Sequence, residues 1–111
     1  MIIRIWHGWT EPQNADAYEA LLREEITSED VNGAQTPGML GIDVLRRDSG
    51  GEVEFATVMT FEDWDAVRAF AGPDLEASVV PDADRALLSR FDTSSQHYEL
   101  LARNGDWDAV G

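Results

Sequence analysis

The order in which two hydrophobic periodicities alternate along this chain constrains its fold more than any other feature. Residues Ile2 to Trp9 are rich in β-branched and aromatic side chains and read as a first strand. Thr10-Glu11-Pro12-Gln13 breaks that strand, and Asn14 is placed to cap a helix. Tyr18, Leu21, Leu22 and Ile26 then recur at helical spacing, with Glu19, Arg23, Glu24 and Glu25 largely between them, up to a stop near Asn32-Gly33. Pro37-Gly38 opens a second strand, Met39 to Arg46, and the turn cluster Asp48-Ser49-Gly50-Gly51 joins it to a third, Glu52 to Thr60, as a hairpin. Thr60 and Asp63 have the spacing of a capping box ahead of a second helix, whose apolar stripe is Trp64, Val67, Phe70 and Ala71 and which ends at Gly72-Pro73. Next comes a broken helical stretch, Leu75 to Val80 and then Asp82 to Phe91, and Ser94 to Leu101 reads as the last strand. The order is β-α-β-β-α-β, which predicts an α+β, ferredoxin-like unit: a four-stranded antiparallel sheet with both helices on one face. It spans residues 1–101, leaving 102–111, with Gly105-Asp106-Trp107, as a C-terminal tail.

One helix layer covers one face of such a sheet, and a solvated second face should carry alternate polar residues. This sequence does not comply. In the third strand Phe55, Thr57 and Met59 point one way and Ala56 and Val58 the other; in the first, Ile3 and Ile5 oppose Ile2 and Trp6. Both faces carry apolar groups, and a second copy of the sheet is the simplest cover, so a homodimer is expected.

Composition narrows the chemistry. The chain has no cysteine, which removes thiolate nucleophiles, iron–sulfur ligation and thiolate–zinc sites. Its eight basic residues are all arginine, so a lysine Schiff base and a Walker loop are excluded as well. A formal charge of −14 repels phosphate backbones and anionic lipid surfaces, making nucleic acid and membranes poor partners. No apolar run is long enough to span a bilayer and no signal-peptide pattern opens the sequence, which predicts a cytoplasmic protein.

Four stretches together resemble the antibiotic biosynthesis monooxygenase-like family: Ile3-Arg4-Ile5-Trp6-His7-Gly8, Pro37-Gly38-Met39-Leu40-Gly41, the Val58 to Phe70 segment, and Val79-Val80-Pro81 through Tyr98. The likeness is one of overall pattern across residues 1–101. It implies a dimeric α/β barrel, two ferredoxin-like units facing each other across their sheets. Some members of the family oxidise activated polyphenols with molecular oxygen and no bound cofactor; others degrade haem. The haem-degrading pattern has an Asn in the first strand, a Trp in the second helix and a His about ten residues later. The corresponding positions here hold His7 without an Asn, a site near Phe70 with Trp64 one and a half turns earlier, and Val80. Specific haem binding is therefore not expected.

His7 and His97 are the chain's two histidines, and strands one and four of this topology are neighbours, so the pair can lie close together. With Glu99 two residues beyond His97, a two-His-one-carboxylate metal site is conceivable, but unrelated histidines are the simpler reading, and no metal is expected. A neutral His97 acting as general base is favoured over a metal site. Trp6, Phe55, Trp64 and Phe70 either fill the core or line a pocket for a flat aromatic ligand. Arg4 and Arg85 either pair with the abundant acids or stabilise an enolate or phenolate, and Tyr98 either orients a substrate or serves the sheet. The resulting expectation is a cofactor-independent oxygenase acting on an electron-rich aromatic or enolisable small molecule. A non-catalytic ligand-binding or stress-related dimer, and isomerase or decarboxylase chemistry on the same scaffold, are the alternatives.

Overall fold

The structure, a computed structural model, describes residues 1–27 and 37–104. The expected helix stop at Asn32-Gly33 and the tail residues Gly105-Asp106-Trp107 lie outside them. Its elements run β1 (Ile2–Thr10), α1 (Pro12–Thr27), β2 (Met39–Ser49), β3 (Glu52–Phe61), α2 (Trp64–Ala71), α3 (Asp82–Arg85), β4 (Arg90–Phe91) and β5 (Gln96–Glu99). The sheet is antiparallel in the order β2-β3-β1-β4, with β5 also on β1, so the expected α+β ferredoxin-like arrangement holds.

Strand alternation sets which residues meet the helices. In β1 the even positions from Ile2 to Thr10 are buried and the odd ones half-buried. The register pairs Ile2 with Phe61, Trp6 with Thr57 and Gly8 with Phe55, so the odd positions of β3 share the helix-bearing face. Ala15, Tyr18 and Leu22 of α1, spaced three and four apart, pack onto Trp6, Val53 and Phe55. Ala66 and Val67 of α2 pack onto Ile2 and Phe61. These are two separate apolar clusters, one under each helix.

Local chemistry moved several expected boundaries. Helix α1 begins at Pro12 rather than at an Asn14 cap, since proline's fixed φ and missing N–H suit a first helical position. Thr60 is a strand residue opposite Ile3, and Asp63 alone caps α2, its carboxylate accepting the Ala66 N–H at 2.9 Å. The lead-in to β2 needs its glycine: Gly38 has φ +82°, and a Cβ there would stand 2.6 Å from the Ala66 Cβ.

The stretch expected to be broken helix departs most. Leu75–Val80 is not helical, because the Leu75 and Ala77 carbonyls accept from Arg4 and the Ser78 N–H donates to Thr93 O. Helix α3 stops at Arg85 because the sheet claims the next few residues: Ser89 N–H donates to Trp9 O at 2.7 Å, and Arg90–Phe91 pair with β1. The last strand is split into β4 and β5. At the break, the Asp92 carboxylate accepts the His7 backbone N–H at 3.1 Å.

Candidate active site between the two helices

The two apolar clusters leave a gap over the middle of the sheet, where polar side chains enter among apolar ones. Along β1 the inward positions are Ile2, Arg4 and Trp6; along β3 they are Phe61, Met59, Thr57 and Phe55. Arg4 therefore rises between the clusters and is only 2% exposed. Its Nη1 donates to Leu75 O at 2.6 Å, its Nη2 to Ala77 O at 2.9 Å, and its guanidinium lies over the Phe70 ring, 5.4 Å from the centroid. Register places His97 directly beside it, with Nη1 and the His97 Nε2 3.0 Å apart. Guanidinium has no acceptor, so Nε2 must accept and the ring proton sits on Nδ1. Burial, then the adjacent Arg4 charge, lowers the His97 pKa, partly opposed by Glu76. Burial likewise lowers that of Arg4. Among the described residues, no carboxylate lies within ion-pair distance of Arg4.

Arg4 lines a cavity of about 90 Å³, walled by Trp6, Thr57, Met59 and Phe70 on one side and by residues of α1 and α3 on the other. Three of the latter are ionisable: Tyr18, Glu25 and Asp84. Tyr18 is fully buried and Asp84 is 3% exposed. Neither Tyr18 Oη nor Asp84 Oδ1 has a partner within full hydrogen-bond distance; burial, then the charges of Asp84 and Glu25 and a longer hydrogen-bond contact with Asp84, raise the phenol pKa. Glu25 is pushed up to about 8, first by burial, then by its hydrogen bond to Asp84 and the charges of Asp84 and Glu24.

The cavity gathers some of the residues the sequence singled out and disperses the rest. Arg4, Trp6 and Phe70 line it. Phe55 does not; it is fully buried beneath Tyr18, edge to face at 4.9 Å, and belongs to the core. Trp64, expected on the inward stripe of α2, is 37% exposed and lies 5.6 Å from the His97 ring. Arg85 turns away, donating to Val80 O and covering Phe91. Tyr98, opposite Ile3, is on the helix-free face and 54% exposed. His7 is there as well, its Nδ1 3.0 Å from Asp92 and its Nε2 3.9 Å from Glu54. The two histidines thus lie on opposite faces of the sheet, which corrects the expectation of a close pair. No group of metal-binding side chains forms among the described residues.

Sequence reasoning missed Tyr18, Glu25 and Asp84. A signal for the gap itself was present: Arg4 and Thr57 interrupt otherwise apolar inward stripes on neighbouring strands. Tyr18 read as plain helix periodicity, and only the fold brings α3 to it.

A crystal structure of an antibiotic biosynthesis monooxygenase matches with a TM-score of 0.63 at 19% identity, over 92% of this chain and 100% of that one. The haem degrader MhuD from Mycobacterium tuberculosis, with two haems bound in its active site, matches with a TM-score of 0.56 at 24% identity, over 95% of this chain and 100% of MhuD. A mutant of SnoaB, a cofactor-independent oxygenase from Streptomyces nogalater, gives 0.51 at 24% identity, over 94% and 95% of the two chains. The chain has the fold of the antibiotic biosynthesis monooxygenase-type proteins. At these identities the likeness establishes fold. No family model and no curated protein sequence matches the chain. Val80, where the resemblance would place an iron-ligating His, lines the cavity, and no histidine is among its lining residues. The cavity therefore does not fit haem ligated in that way.

Proposed function

We propose that this protein is an oxygenase that works without a bound cofactor on a small electron-rich aromatic or enolisable molecule held in the Arg4 cavity. The observation that carries the reading is the buried guanidinium itself. A cation removed from water is stable only with compensation, and Arg4 has two carbonyls, an imidazole and a ring face but no anion among the described residues. A substrate oxyanion would complete the site, and its stabilisation in a dry cavity is worth more than in water.

Cofactor-free oxygen chemistry requires that anion. Protein side chains do not readily give one electron to molecular oxygen, so the substrate must, after losing a proton. For a methylene flanked by an activating aromatic ketone, loss of one C–H proton leaves an enolate. One electron passes to oxygen, the radical pair joins as a peroxide, and loss of water leaves a carbonyl; CH2 and O2 become C=O and H2O. His97 now reads as a positioning residue rather than the base, because its Nε2 lone pair is taken by Arg4. The fold relatives support an oxygenase in general terms.

The same proposal includes a homodimer. Ile3, Ile5, Ala56 and Val58 project from the helix-free face, with Leu45 and Tyr98 each 54% exposed.

Oxygen consumption with anthrone and hydroquinone substrates in metal-chelated buffer tests the activity. Wild type should exceed background and Arg4→Met should lose about a hundredfold or more, the scale of a lost oxyanion donor. His97→Ala should lose less. No uptake with any such substrate removes the oxygenase reading, and saturable binding without uptake would move the protein to the non-catalytic class.

A further inference from the structure

The wall opposite Arg4 is where the cavity holds polar groups that the fold leaves unused. Asp84 sits on a four-residue helix, α3, and Tyr18 and Glu25 on α1, seven residues and thus about two turns apart. Buried polar atoms are almost always paired. Here two atoms on the same cavity wall have no partner at full hydrogen-bond distance: Asp84 Oδ1, an acceptor, and Tyr18 Oη, both excluded from solvent and joined only by a longer contact between their side chains. An acidic group and a phenol from different elements, both unsatisfied and facing one space, mark a ligand position on that side. Arg4 marks the other.

We propose that Asp84, backed by Glu25 and Tyr18, is the proton acceptor of this cavity, and that its ligand is one conjugated ring with an O–H toward Asp84 and a second oxygen function toward Arg4. This rests on the cavity being the substrate site. On binding, the ligand O–H bond breaks and the proton passes to Asp84 Oδ1. The electron pair stays on the ligand and delocalises through the ring onto the oxygen facing the guanidinium. Nothing is oxidised in this step; it prepares the anion that oxygen chemistry needs. Phenols with a carbonyl or nitro group conjugated at the ortho or para position have this form.

The supporting groups have definite parts. Glu25 keeps its proton through neutral pH, because burial and the neighbouring Asp84 and Glu24 oppose its charge, and it hydrogen-bonds Asp84. That proton steadies Asp84 without occupying Oδ1. Tyr18, whose phenol pKa is raised by burial and by Asp84, with which it makes a hydrogen-bond contact, stays a neutral donor on the same wall.

The probe is 4-nitrophenol, which carries an O–H at one end of the ring, nitro oxygens at the other, and a visible absorbance only when ionised. It is titrated with full-length protein in buffer about one unit below its own pKa, where the free ligand is mostly neutral. Wild type should bind it saturably as the yellow phenolate, with the ionisation ratio raised about tenfold or more, equivalent to a pKa lowered by at least about one unit. In wild type the proton stays in the cavity, so the yellow fraction of bound ligand should hardly change with pH near that of the titration; in Asp84→Asn it must leave to solvent, so the ratio of yellow to neutral bound ligand should rise about tenfold per pH unit. Glu25→Gln, which still offers an N–H to Asp84, should keep the colour. Saturable binding of the neutral phenol by wild type overturns the inference and leaves the cavity reading standing. Absence of any binding by wild type overturns both. An Asp84→Asn profile as flat with pH as that of wild type also overturns the inference, and the pH dependence of the wild-type spectrum decides the matter if that variant does not fold.

Discussion

The two faces of one sheet place opposite demands on the same strands. On the helix-bearing face, β1 presents Ile2, Arg4 and Trp6, and an apolar cover lies over all but the middle. There the sequence turns polar, and Arg4 with Thr57 remain buried without apolar neighbours on every side. On the helix-free face the same strand presents Ile3, Ile5, His7 and Trp9 with no helix above them, yet the residues are largely apolar. A polar residue in a covered stripe and an apolar residue in an uncovered one are both departures from simple alternation. The first fits the proposed ligand cavity and the second the proposed dimer.

Substitutions on the two faces of β3 should separate these meanings. Phe55→Ala removes a fully buried ring from beneath Tyr18, and truncating such a residue costs about 3–5 kcal/mol. Chemical denaturation should show that loss as a lower midpoint with little change of slope. Val58, three residues on and on the other face, should behave differently. Val58→Asp should leave a folded chain by circular dichroism but convert a dimer to a monomer in sedimentation equilibrium, since a lone carboxylate in an apolar interface is strongly unfavourable. A wild type that sediments as a monomer at micromolar concentration would remove the dimer, and the helix-free face would need another explanation.

This contrast also explains how much was legible in the sequence. Strand phase was readable because period-two alternation assigns faces without knowledge of neighbours, and β1, β2 and β3 fell close to where expected. The region from Leu75 to Phe91 was not readable in the same way. Its apolar spacing suits a helix, but Arg4 takes the carbonyls of Leu75 and Ala77, and Trp9 O takes the Ser89 N–H. Those partners lie about seventy to eighty residues away, and no local propensity reports them. For the same reason Arg4, Trp6 and Phe70 were found and Asp84 was not. The first three stand out as strand or helix positions, whereas Asp84 becomes part of the cavity only when α3 docks against α1.

Helix α2 offers a smaller test on the covered side. Asp63 alone satisfies its first turn through the Ala66 N–H. Asp63→Ala should cost about 1 kcal/mol, the usual value of an N-cap. Thr60→Ala should show no capping effect, because its side chain projects from the helix-free face opposite Ile3. Equal losses from the two in thermal melts would restore the capping box that the spacing suggested.

The smallest effect concerns the acid wall of the cavity and appears only as a slope against pH. Glu25 has a folded pKa raised from 4.5 to about 8, so between those values the folded state holds a proton that the unfolded state releases. Stability from this group is fully present below 4.5 and is lost as pH rises through 8, opposite to the behaviour of salt-bridged acids. Glu19 and Glu52 have lowered values, from hydrogen bonds to Arg46 and Arg90 respectively, and so act below 4.5. His97, lowered from 6.5, loses its contribution as pH falls below that value. The window from about 6.5 to 8 therefore isolates Glu25. Across it the melting temperature of wild type should fall relative to Glu25→Gln, which has no proton to release. Glu25 is only half-buried, so solvent screening keeps the difference below that of the Asp63 cap. Parallel melting profiles for the two proteins from about pH 6.5 to 9 would mean that Glu25 ionises as freely in the folded chain as in the unfolded one. The cavity wall would then lack the proton that holds Asp84 in place.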